Sequence, residues 1–297
     1  MRTTALTTAL LSAAATTLAQ SSGKLGYTCF PDCVPSTLNS TQAANLTFGR
    51  HYAVLNLDLI NALIDPIAST PEAQTWINAT SCWIDAVHAQ SPPPLSIWTR
   101  IYFTNPSQPE LGPSTPFRQI GGALGAANDS NTFIYPAFHV DESAGDAVLA
   151  KTRYYAGFGN SLEEILRAQQ IDTVVLSGIR TTGVVVNTAY QLFNLDYNVY
   201  VAPNDSPPML LFPPSLFLPS HPFSFSGGKK RERKNKSFLL MFDFKSYIIA
   251  NNTIETPPDD PAINYNLLAG ALPKVPVNVI TLDQALAALE RSGPAVY

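Results

Sequence analysis

The sequence predicts an α/β protein: a mostly parallel sheet with helices on both faces. Three observations carry this. Short apolar runs of strand length recur along the chain, segments with helical spacing of apolar residues separate them, and the two kinds alternate. The 297 residues suit one large domain or two small ones, and a hydrophobic content of 45% provides for a sizeable core.

The elements follow in order. HYAVLNL at 51–57 is a continuous apolar run of the kind found in strands buried on both faces, and Asp58 closes it. Thr70-Pro71-Glu72 supplies a helix N-cap, a proline at the first helical position and an acid in the first turn. Ala73, Trp76, Ile77, Thr80, Ile84 and Val87 then recur at helical spacing, with Asn78 and Cys82 expected on the opposite, more polar face. After SPPP at 91–94, LSIWTRIYF at 95–103 is a second strand. Residues 104–145, rich in Pro and Gly, read as a long loop region.

A short strand is expected over Ala147–Ala150 with Lys151 at its end, then a short helix over Ser161–Ala168. The run TVVL at 173–176 is a fourth strand, ending at Ser177 and broken by Gly178, with a helix from about Thr182 to Phe193. NVYVA at 198–202 and Val277–Ile280 are further strands. The last helix spans Thr281–Arg291, where Thr281 and Gln284 match a capping box.

Composition bears on location. Charged residues make up only 13% of the chain and there are 25 prolines, a balance that fits an extracellular protein better than a cytosolic one. The N-terminus has one basic residue, Arg2, then an apolar, small-residue stretch with Thr17 and Ala19 where signal peptidase prefers small side chains. Residues 1–19 therefore read as a secretory signal peptide, and this stretch is too short and too rich in Thr to span a membrane. Sequons at Asn39, Asn45, Asn78, Asn128, Asn204, Asn235 and Asn251 fit an N-glycosylated secreted protein.

Of the cysteines Cys29, Cys33 and Cys82, two can pair and one is left over. Zinc is disfavoured because further ligands at metal spacing are missing. No cysteine stands at the end of a predicted core strand, which disfavours a catalytic thiol. Residues 20–50 read as a loose N-terminal arm and 51–291 as the main domain.

One segment departs from the rest. Residues 206–250 are proline-broken, then Phe-rich, then basic, with 7 of the chain's 18 Lys+Arg and 2 of its 22 Asp+Glu. A structureless insertion of this length is unusual in a compact domain. It reads as a nucleic-acid or membrane patch, as a solvated loop, or as an unspliced intron in the gene sequence. The last is preferred, because the flanks VYVAPND and NNTIETPPDDP read naturally when joined, and a basic localisation signal is at odds with a secretory leader.

The chemistry-bearing residues sit at strand ends. Asp58 follows the first strand, Lys151 the third, and the Gly178–Gly183 turn the fourth. In a parallel sheet these points can converge on one cleft, where an Asp and a Lys tune each other and serve as acid and base. Backbone N–H groups of the turn can bind an anion. The competing reading is an ordinary ion pair or loop caps. No GxGxxG or P-loop pattern appears, so no nucleotide cofactor is indicated. His51, His88, His139 and His221 share no spacing.

The segments YAVLNLDLIN (52–61), KTRYYAGF (151–158), SLEEILRAQQIDTVVLSGIRTTGVV (161–185) and DYNVYV (196–201), with PVNVITLDQALAAL (276–289), resemble the isochorismatase-like hydrolase family, also called the cysteine hydrolase superfamily. The resemblance implies a three-layer α/β sandwich, an active-site aspartate at Asp58 and an active-site lysine at Lys151. It also places the family's glycine–aliphatic–x–Thr turn on Gly178–Thr181 and its nucleophilic cysteine on Val184. A thiol-dependent amidase is then excluded by valine, whereas vinyl-ether hydrolysis needs only an acid and a charge partner. On that reading Asp58 is the acid/base and Lys151 orients it and holds a substrate carboxylate. Arg180, Thr181, Thr182 and Gly183 bind polar substrate atoms. The expected partner is a small carboxylated molecule, with no cofactor, metal, nucleic acid or membrane, and homo-oligomers are common in the family. A binding protein using the same pocket without catalysis is the competing function.

Overall fold

The computed structural model describes residues 36–200, 245–254, 266–274 and 277–296. The leader, Cys29, Cys33, most of the 206–250 segment and the sequons at Asn204 and Asn235 lie outside the described residues.

A short helix α1 (Ser40–Ala44) precedes strand β1 (Tyr52–Leu57), followed by α2 (Asn61–Ile64) and the long α3 (Pro71–His88). Strand β2 (Leu95–Ile101), the short helix α4 (Arg118–Gly121) and β3 (Ala147–Lys151) come next. Then follow α5 (Leu162–Ala168), β4 (Thr173–Ile179), a π-helical turn Thr181–Val185, α6 (Val186–Asn194) and β5 (Asn198–Tyr200). Strand β6 (Lys245–Ile254), turns at Asn266–Lys274, β7 (Val277–Ile280) and α7 (Leu282–Ser292) complete the chain.

The strands form a seven-stranded sheet in the order β3-β2-β1-β4-β6-β7-β5. Every strand pair in it is parallel. All positions of β1 and β4 are buried, which demands cover on both faces of the sheet. One core cluster joins these strands to Trp83 of α3, Leu166 of α5, Leu192 of α6 and Leu289 of α7. A second gathers Trp76 and Ile77 of α3 with Trp98 of β2 and Ile179 of β4. The predicted α/β sandwich is the fold observed.

Local signals behave as the residues dictate. The Thr70 hydroxyl accepts from Ala73 N–H with Pro71 at the first helical position, and Thr281 and Gln284 form the reciprocal capping box. Cys82, expected on the polar face of α3, is buried and disulfide-bonded to a partner outside the described residues. Asn78 is exposed as expected.

Three boundaries differ from the sequence reading. The strand expected to stop at Ser177 runs to Ile179, because Gly178 (φ 148°) lets β1 come close: a Cβ there would lie 2.2 Å from Leu57 O. The arm is not loose over its last part, since Thr37 N–H donates to Val279 O at 3.0 Å and Phe48 is buried against Tyr52 and Trp83. Residues 245–250, assigned to the insertion, form the first part of β6 between β4 and β7.

Candidate active site

In the order β3-β2-β1-β4, the chain winds one way from β1 to β3 and then crosses to the other side of β1 to place β4. The carboxyl ends of β1 and β4 therefore flank a topological switch point, where open α/β sheets carry their ligand crevice. Asp58 stands directly after β1, and Arg180 directly after β4 behind a cis Ile179–Arg180 peptide. Asp58 has φ 56°, a left-handed backbone that Asp adopts at a cost and that is common where a side chain must be aimed.

Each flanking strand contributes to the aim. Thr99 of β2 accepts the Asp58 backbone N–H at 3.1 Å and returns its hydroxyl proton to Asp58 Oδ1 at 2.7 Å. Lys151, at the end of β3, reaches past β2 so that Nζ donates to Asp58 Oδ2 at 2.6 Å. The same ammonium donates to Arg153 O at 2.8 Å and Tyr154 O at 3.3 Å. Those acceptors use all three ammonium protons. The Lys151 side chain has no exposed surface, so it stands behind Asp58 and not in the cavity.

Burial pushes the Asp58 carboxyl above its ordinary value, opposed by the charge and hydrogen bond of Lys151. The same burial holds Lys151 below its ordinary value, opposed by Asp58. The two shifts run toward each other, which lowers the cost of moving a proton along the 2.6 Å contact.

A cavity of about 240 Å³ opens in front of Asp58. Arg180 and Val184 come from the β4 end, Leu63 from α2 and Tyr154 from the β3–α5 connection. Phe117, Ile120 and Leu124 come from the 104–145 region, which the sequence shows only as a loop. Val184 is 1% exposed, and none of the described residues lining the cavity is a cysteine.

The predicted residues are thus partly gathered. Asp58, Arg180 and Val184 line the cavity and Lys151 backs Asp58. Thr181, Thr182 and Gly183 do not line it. Gly183 N–H is spent on Arg180 O at 3.2 Å because the turn closes on itself, and the buried Thr181 hydroxyl has no partner among the described residues. Sequence reasoning missed Thr99, whose only signal was a hydroxyl, one of two with Ser96, within a mostly apolar strand.

The histidines divide as well. His88 bonds Asp146 at 3.1 Å and packs edge-on against His139, and neither ring lines the cavity. No group of His, Cys, Asp or Glu among the described residues is placed to hold a metal ion. No described helix is long and apolar enough to cross a membrane.

The isochorismatase domain model matches residues 52–204, just over half the chain. The chain belongs to the isochorismatase family. Solved isochorismatase-family structures share its fold at low identity. An isochorismatase family protein from Burkholderia thailandensis is 17% identical, covering 82% of this chain and 98% of its own, with a TM-score of 0.55. An isochorismatase-like hydrolase from Alkaliphilus metalliredigens is 14% identical over 80% and 98% of the two chains, at 0.53. A cysteine hydrolase from Pseudomonas syringae pv. phaseolicola is 12% identical over 88% and 100%, at 0.52. No curated protein matches the sequence.

Proposed function

We propose that this isochorismatase-family protein is a secreted hydrolase of small enol-ether carboxylates, working by acid–base chemistry without a thiol. The observation that carries the reading is the buried Asp58–Lys151 pair, 2.6 Å long, with Asp58 facing a cavity whose described lining offers no sulfur. Asp58 protonates the methylene carbon of the enol ether. Water adds to the oxygen-bearing carbon, and the hemiketal collapses to an alcohol and a 2-oxo acid. Burial supports the acid role by favouring the protonated carboxyl. With its protons committed, Lys151 tunes Asp58 and leaves the substrate carboxylate to Arg180.

The test is release of pyruvate from simple monocarboxylate 2-alkoxyacrylates. Asp58→Asn keeps the volume of the side chain and removes the acid; kcat should fall at least about a hundredfold, the usual worth of a general acid. Undiminished pyruvate release by this variant sinks the mechanism. The second reading, a binding protein without turnover, is favoured by the absence of a cysteine from the described lining; ligand binding with no pyruvate release would establish it.

Secretion belongs to the same proposal. The leader-like residues 1–19, the disulfide at Cys82 and the exposure of Asn39, Asn45, Asn78 and Asn128 support it.

A further inference from the structure

The cavity wall carries a selectivity that the acid–base pair does not require. Its only described cation is Arg180 and its only described carboxylate Asp58. The other described lining side chains are apolar, among them Leu63, Ile101, Phe117, Ile120 and Val184, with Tyr154 as the one that carries a hydroxyl. Beyond one hydroxyl paired with Tyr154, further hydroxyl groups on a ligand would meet these carbons without side-chain partners, which weakens binding. A second carboxylate would lie against apolar wall or against Asp58.

Ile120 adds an independent mark. It is 55% exposed while lining the cavity, so its apolar surface is not consumed by the core. Its neighbour Gly121 also lines the cavity, and a Cβ there would press on Phe117 Cε1 at 2.9 Å. The 240 Å³ volume falls below the range of about 300–1,000 Å³ typical of drug-sized ligands. A small body fits, held by dispersion and by loss of water from apolar surface.

We propose that the site selects a compact monocarboxylate with an apolar body. The carboxylate pairs with Arg180, and the body packs against the apolar lining that includes Ile120, Phe117, Leu63 and Val184. Dicarboxylates and polyhydroxylated acids of the same size are rejected. The inference rests on the cavity being the substrate site, and it is independent of whether turnover occurs.

Equilibrium binding tests it without catalysis. The full chain is titrated calorimetrically at neutral pH with benzoate, isophthalate, 3,4,5-trihydroxybenzoate and benzyl alcohol. Benzoate should bind at least about tenfold more tightly than each of the others, the worth of one hydrogen bond to a charged group. Arg180→Gln should weaken benzoate about tenfold and leave benzyl alcohol unchanged. Ile120→Asn, on an exposed position, should weaken benzoate while leaving the unfolding temperature in place. Equal or tighter binding of isophthalate or the trihydroxy acid overturns the proposal. So does an Arg180→Gln variant that is folded and binds benzoate normally, and so does failure of benzoate to bind. Benzoate binding with no hydrolysis of any 2-alkoxyacrylate would leave the selectivity standing and reject the hydrolase.

Discussion

The Asp58 carboxylate has both oxygens engaged, one by the Thr99 hydroxyl and one by the Lys151 ammonium, inside a fully buried setting. A general acid must carry its proton. The raised value of Asp58 therefore places the loss of kcat/KM on the alkaline side of the ordinary carboxylate range, falling as pH rises through that value. A pH–rate profile checks this; a limb at an ordinary carboxylate value would mean that burial does not set the acid. The pair also carries a stability consequence. Lys151→Met removes the partner and leaves a buried carboxyl, while Asp58→Asn leaves a buried ammonium held only by carbonyls. Each single change should cost about 3–5 kcal/mol, and the double variant should recover most of it. Additive losses in chemical denaturation would show that the two groups do not depend on each other.

Among the elements, β4 decides the site most directly. It runs flush against β1, with Leu57 opposite Gly178, and delivers Ile179, Arg180 and Val184 to the cavity. That approach depends on the missing side chain at Gly178. Gly178→Ala combines a left-side φ of 148° with a contact at 2.2 Å to a backbone oxygen that cannot swing away. A loss of about 3 kcal/mol or more is expected, with activity falling alongside stability. A variant as stable as the parent would mean that the strands part without cost. The α3–β3 edge is held differently. There Asp146 collects the His88 ring, the Trp98 indole N–H at 2.9 Å and the Asp141 N–H at 2.9 Å. This hydrogen bond to Asp146 holds His88 above its ordinary value.

At the scale of the whole molecule, the fold extends past the expected 51–291 in both directions. Ser292 Oγ receives Phe48 N–H at 2.7 Å, and Val296 N–H donates to Arg50 O at 2.7 Å. The segment before β1 thus closes on the segment after α7. Expression through a eukaryotic secretory pathway should yield a mature chain beginning at Gln20, with glycans on Asn39, Asn45, Asn78 and Asn128. N-terminal sequencing and glycopeptide mass spectrometry check this. A retained leader or unmodified sequons would place the protein elsewhere.

The sequence by itself determined what depends on near neighbours. The order of strands and helices follows from apolar period, the starts of α3 and α7 from Thr70 and Thr281, and the positions of Asp58 and Lys151 from where apolar runs stop. These are local because side-chain period and capping act over one or two turns. Only the tertiary structure decided what depends on distant partners. It brought Thr99 under Asp58, turned Lys151 away from the cavity, and left Thr181, Thr182 and Gly183 outside it. It also drew Phe117 and Ile120, at the short helix α4 within a Pro- and Gly-rich connection, into the cavity wall, and seated Lys245–Ile254 inside the sheet. No period or cap encodes those contacts. They arise when strand ends far apart in sequence are forced together by burying both faces of one sheet.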